Sequence, residues 1–106
     1  MDQKLIEDYL LSMPNTQVDY PFGKSVAAYK QTDKLFALLT QDKQPLQLSL
    51  KGDPQLNKLL RRKYETVLPG HNLNQNQWNT IILSGQLPWE ELQGLIRHSY
   101  QLVSAD

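Results

Sequence analysis

At 106 residues the chain has room for one domain with one modest core, a size at which roughly two-thirds of the unfolded surface is buried. Hydrophobic residues make up 40% and charged residues 21%, which argues against a disordered or low-complexity polymer. Cysteine is absent, so disulfides, zinc ribbons and thiol catalysis are excluded.

No apolar run approaches the roughly 20 residues needed to span a bilayer. The start, MDQKLIEDYL, lacks the basic opening and apolar block of a signal peptide, so a cytoplasmic monomer away from membranes is expected. Formal charge sums to zero, yet nine bases face three acids between Tyr20 and Tyr64, and no formally charged side chain occurs from Thr66 to Trp89. Such asymmetry steers an anionic partner even in a neutral chain.

Along the chain, Leu5, Ile6, Tyr9, Leu10 and Met13 recur at helical spacing, with Asp2 as cap and Pro14 as stop, which predicts an amphipathic helix over 2–13. Breaks at Pro14-Asn15 and Tyr20-Pro21-Phe22-Gly23 precede a short strand from Ser25 to Lys30. Leu35 to Thr40 is a nearly continuous apolar run, suited to a central strand buried on both faces. Leu46 to Lys51 alternates strictly, placing three leucines inward and Gln47, Ser49 and Lys51 on the other face. Short connections make these three strands an antiparallel meander.

Gly52-Asp53-Pro54 is a helix start, with a carboxylate for the exposed amides and a proline whose missing N–H leaves no orphan donor. Leu56, Leu59, Leu60 and Tyr64 form the expected buried stripe, leaving Lys58, Arg61, Arg62 and Lys63 toward water. Val67-Leu68 leads to Pro69-Gly70, a type II turn candidate. Trp78 to Leu83 reads as a further strand with Ile81, Ile82 and Leu83 as core, and Pro88 opens a last helix whose stripe is Leu92, Leu95, Ile96, Ser99, Tyr100 and Val103. The expected architecture is a single α+β domain over 1–106. It is a two-layer sandwich in the order α-β-β-β-α-β-β-α, with its helices on one face of an antiparallel sheet and the other face partly open.

Tyr20-Pro21-Phe22-Gly23, Leu48-Ser49-Leu50-Lys51-Gly52-Asp53-Pro54, Pro69-Gly70-His71, Trp78-Asn79-Thr80-Ile81 and Ser99-Tyr100-Gln101-Leu102-Val103, taken in this order and spacing, resemble the MmcQ/YjbR family over nearly the whole chain. The resemblance implies a small bacterial cytoplasmic protein with a CyaY-like α+β fold. It also implies a role in DNA binding, by analogy with the double-wing domain of a phage transcription factor. Members of that family often carry a lysine just before the tryptophan. Here Asn74-Gln75-Asn76-Gln77 occupies that stretch, so this phosphate contact is missing.

Four bases, Lys51, Lys58, Arg61 and Arg62, come from a strand end and the adjoining helix. Gathered on one surface they would bind phosphates, and four contacts would give a log–log salt slope of about −3.6 on duplex DNA. The competing reading is a solvated helix face. Asn72, Asn74, Gln75, Asn76, Gln77 and Asn79 offer groups that read base edges, and Trp78 an aromatic plane for an unpaired base. The alternative is a soluble turn beside a tryptophan packed into the core.

His71 lacks an orienting carboxylate and a partner nucleophile, and His98 reads as a surface group or helix-end cation. Neither histidine has the neighbours of a transition-metal site. A frataxin-like acidic ridge would need more than Asp2, Glu7 and Asp8 beside Lys4, so no metal and no cofactor is expected. Tyr20, Phe22 and Tyr29 mark a rim near the first strand. The sequence therefore points to a non-enzymatic protein that binds nucleic acid, DNA foremost, through Lys51, Lys58, Arg61 and Arg62 with Asn74 and Trp78 beside them. The alternative is a protein-interaction module that uses the open sheet face and Phe22.

Overall fold

The computed structural model describes residues 2–70 and 73–104. Three helices and six strands follow in the order α1 (Gln3–Leu11), β1 (Thr16–Asp19), β2 (Val26–Gln31), β3 (Lys34–Thr40), β4 (Gln47–Lys51), α2 (Pro54–Lys63), β5 (Val67–Pro69), β6 (Trp78–Ile82) and α3 (Trp89–Ser104). The strands make one antiparallel sheet arranged β1-β2-β3-β4-β6-β5. This is the expected α+β order with an additional edge strand, β1. Its four residues are too few and too polar to announce themselves by alternation.

All three helices cover one face of the sheet. Ile6 and Leu10 of α1, Leu60 of α2, and Leu92, Ile96 and Val103 of α3 share a core with Tyr29, Leu39, Leu48 and Ile81 from the strands. Each such large side chain contributes about 1.5–3 kcal/mol by leaving water. In α1, Asp2 caps the first turn by accepting from the Lys4 N–H at 3.0 Å. Leu5, expected in the buried stripe, is exposed: the helix turns Ile6 and Leu10 to the sheet and leaves Leu5 on the flank. Tyr9 meets Trp89 edge-to-face at 5.6 Å and accepts a 2.7 Å hydrogen bond from Arg97, tying α1 to α3.

The central strand carries a feature that its apolar run concealed. Tyr29 pairs with Ala37 and Lys30 with Leu35, so Phe36 is the extra residue of a β-bulge. Beyond Ala37 and Leu50 the ladder between β3 and β4 is completed by a helix side chain. Ser99 of α3 donates to the Phe36 carbonyl at 2.5 Å and accepts from the Lys51 N–H at 2.9 Å. A buried hydroxyl thus satisfies two backbone groups that would otherwise be orphaned. Ser99, expected as part of the apolar stripe, is fully buried for that reason.

Two further readings change in three dimensions. Gly70 has no positive φ, so it is not the third residue of a type II turn. It is glycine because a Cβ there would lie 2.8 Å from the Trp78 Cβ. Ile82 lies across from Gln47 on the open face, so Ile81 and Leu83 reach the core and Ile82 does not.

Candidate functional site

The site region is built where β4 passes into α2. Asp53 caps the helix by accepting from the Gln55 and Leu56 amides at 3.0 and 3.2 Å, and Pro54 opens the first turn. Gly52 lets the chain run close to this turn, since a Cβ on it would sit 2.3 Å from the Asn57 Oδ1. Helix α2 is rotated from the expected stripe. Leu59 is exposed, while Asn57, with 3% of its surface exposed, faces inward one turn before Arg61. Apolar periodicity could not reveal this, because the inward positions are polar.

Asn57 and Arg61 belong to a polar knot that holds the chain segment before β6. Asn57 donates to the carbonyls of Gly52 and Asn76 at 3.0 and 3.3 Å, and Asn79 donates to the Asn57 carbonyl at 3.2 Å. Arg61 donates from Nε to the Asn79 Oδ1 at 2.6 Å and from Nη2 to the carbonyls of Gln75 and Trp78. The guanidinium fork matches three acceptors set at fixed positions.

The four bases are consequently not one ridge. Arg61 is half-buried and holds the knot. Lys58 and Arg62 lie one turn apart on the exposed side of α2. Lys51 pairs with Trp78 in the ladder and, by alternation from Leu50, issues from the face of the sheet opposite the helices. Among the described residues none of the four forms an ion pair with an acid.

The amide-rich loop is structural at its ends and exposed in its middle. Asn79, also 3% exposed, is committed to Asn57 and Arg61, and the Asn74 side chain accepts from the Asn76 N–H at 3.0 Å. Gln75, Asn76 and Gln77 have exposed side chains. Trp78 is 7% exposed, lies on the Lys51 face and is outside the main core cluster, so neither expectation for it holds in full. His71 and Asn72 lie outside the described residues. His98 is half-buried and its Nε2 accepts from the Asp53 N–H at 3.2 Å.

The other face of the sheet holds a groove of about 420 Å³. Its floor is Leu38 of β3, Ser49 of β4 and Thr80 of β6, neighbours in one cross-strand row. The Ser49 and Thr80 hydroxyls satisfy each other at 2.8 Å. Val26, Thr40 and Gln47 extend the floor, and Phe22 and Leu73 form walls, with Asp42 and Lys43 at the lip. Phe22 is 64% exposed. Tyr29, expected on the same rim, is buried in the core.

The sequence placed Ser49 on this face by alternation but missed Leu38 and Thr80. Leu38 was hidden in a continuous apolar run, and the bulge at Phe36 that fixes its direction has no local signature.

Two hydroxyls are perturbed. Burial raises the Tyr29 pKa, with Glu7 and Tyr20 adding to the effect. The Tyr64 pKa is raised chiefly because its hydroxyl donates to Glu91 at 2.6 Å. Neither lies in the groove. Among the described residues no three metal-ligating side chains come together, and no helix is long and apolar enough to cross a membrane.

A sheet with helices on one face and a grooved second face defines the chain as a small α+β domain. It belongs to the YjbR family, whose model matches residues 11–102. A protein named uncharacterized protein YjbR from Escherichia coli (strain K12) is 31% identical over 93 residues, spanning 88% of this chain and 79% of that protein. Uncharacterized protein YbdF from Escherichia coli O157:H7 is 28% identical over 93 residues, 88% of this chain and 76% of its own. A crystal structure of a Deinococcus radiodurans protein superposes with a TM-score of 0.89 at 32% identity, covering 93% of this chain and 75% of that one. A crystal structure of a Pseudomonas syringae protein gives 0.82 at 30% identity, covering 96% and 98%.

Proposed function

We propose that the protein is a non-enzymatic binding module that receives a segment of a protein partner on the open face of its sheet. The observation that carries this reading is Phe22, a large aromatic left 64% exposed at the wall of the groove over Leu38, Ser49 and Thr80. Exposed aromatic anchors beside a concave, mixed apolar and hydroxyl floor are what protein interfaces use at their centres. The cleft has the size of a ligand site, and the two hydroxyls at its centre, those of Ser49 and Thr80, are engaged with each other.

The test is a photo-crosslinking residue placed at Ser25, on the groove, and separately at Gln101, on the helical side, in the cells from which the protein comes. A discrete protease-sensitive adduct from Ser25, absent from Gln101 and lost on Phe22→Ala, is the expected outcome. A nuclease-sensitive adduct, or equal labelling from both positions, would refute the reading.

One observation favours the nucleic-acid reading: Lys58 and Arg62 form an exposed cationic pair with no acid partner among the described residues. With Arg61 engaged in the knot, at most three of the four bases remain for phosphates, which limits the salt slope to about −2.7. Trp78 is too covered to stack on a base. A titration with duplex and single-stranded DNA checks this reading, and affinity that does not change on Lys58→Glu with Arg62→Glu would remove it.

A further inference from the structure

Resting on the open-face reading, we infer that the partner segment is acidic as well as apolar, with a carboxylate two residues from the side chain that enters the groove. The strand register lays out the face in rows. The groove row runs Ala28, Leu38, Ser49, Thr80. Toward the far end of β4, past the last β3–β4 pair of Ala37 with Leu50, the same face carries Lys30 paired with Leu35, and Lys51, one same-face step after Ser49, paired with Trp78.

Lys30 on β2 and Lys51 on β4 thus lie on the same face of the sheet, to either side of β3. Both are half-buried, and among the described residues neither forms an ion pair. Of the acids near this face, Asp19, in the groove row at the β1 edge, accepts from the Tyr20 N–H at 2.8 Å, Asp42 stands at the groove lip next to Lys43, and Asp33 is exposed in the turn that follows the Lys30–Leu35 pair. With the two lysines beside the single acid Asp33, this end of the face is a local positive strip on a partly apolar surface.

Ser49 to Lys51 is one same-face step, about 7 Å, which matches the distance from residue i to i+2 in an extended segment. A side chain seated against Phe22, Leu38 and Leu73 would bring the side chain two positions along to the two ammonium groups. Half-buried lysines attract a carboxylate more strongly than solvated ones, because water screens them less. A lysine arriving at that place would be repelled, so the strip sets specificity as well as affinity.

Fluorescence anisotropy with three labelled twelve-residue peptides tests this. Each carries leucine at every fourth position, and two residues after each leucine it carries glutamate, lysine or serine. Labelled twelve-nucleotide oligothymidylate is the fourth probe. The expected result is binding of the glutamate peptide at least ten-fold tighter than the lysine peptide, with the preference reduced by Lys30→Gln with Lys51→Gln and reversed by Lys30→Glu with Lys51→Glu.

All three peptides binding alike, with binding still lost on Phe22→Ala, would overturn the charge assignment and leave the open-face reading standing. No peptide binding at millimolar concentration would overturn both. Oligothymidylate binding more tightly than the glutamate peptide, and weakening in the same lysine variants, would give the strip to nucleic acid instead. Urea midpoints matching the unsubstituted protein confirm that the glutamine variants are folded.

Discussion

Arg61 on α2 and Asn79 on β6 are joined by a 2.6 Å hydrogen bond from the guanidinium Nε to the amide oxygen. This contact turns a base from the expected phosphate-binding set into a strut, because the same guanidinium also reaches the Gln75 and Trp78 carbonyls. Arg61→Ala leaves these acceptors and the buried Asn79 without their donor. Hydrogen bonds to a charged group are worth about 1.5–3 kcal/mol, and a loss in that range is expected in urea unfolding. Arg62→Ala, on the exposed side of the helix, should stay within about 0.5 kcal/mol of the unsubstituted protein.

Two glycines respond oppositely to alanine. At Gly52 the added Cβ meets Asn57 Oδ1 at 2.3 Å, and Asn57 cannot swing away without releasing the Gly52 and Asn76 carbonyls. Gly52→Ala should lower stability by about 1–3 kcal/mol. At Gly94, inside α3, the nearest atom is the Arg97 Nη2 at 3.7 Å. Gly94→Ala should raise stability by about 0.5–1 kcal/mol. Thermal unfolding of the two variants reads both signs.

The cap at Asp53 has a measurable role. Its carboxylate accepts from two amides of the first turn of α2, so Asp53→Ala should cost about 1 kcal/mol and Asp53→Ser only part of that. Because α2 carries the Asn57 and Arg61 knot, hydrogen exchange should speed up in the segment from Gln75 to Trp78 as well as in the helix itself. Exchange confined to the first turn would show that cap and knot are uncoupled.

Alkaline stability should be limited by Tyr29. Burial raises its pKa above the ordinary value of 10.0. The unfolded chain therefore releases the phenolic proton at a pH where the folded chain still holds it. The sign follows: stability from this group is complete below pH 10.0 and declines as pH rises further. Tyrosinate absorbance should show Tyr29 ionising together with unfolding, and Tyr29→Phe should move the alkaline unfolding midpoint upward.

Phe22→Ala should leave the urea midpoint within about 0.5 kcal/mol, because its ring is largely in water, while removing partner capture by the open face. Instability in this variant would place the ring in the fold's own packing, contrary to its exposure.

The sequence by itself determined the three helices, five of the six strands, the Asp53 cap and the bare second sheet face. These rest on local periodicity and capping chemistry, which a linear chain carries openly. Tertiary structure decided the rest. The rotation of α2 that buries Asn57 and Arg61 and exposes Leu59 depends on acceptors supplied by β6 and the segment before it, fourteen to nineteen residues away. The bulge at Phe36 is stabilised by Ser99, 63 residues further along. Side-chain direction at these points is set by long-range partners for polar groups, and burial leaves a polar group no alternative to finding one. The groove and the Lys30–Lys51 strip follow from strand register, which local composition does not encode.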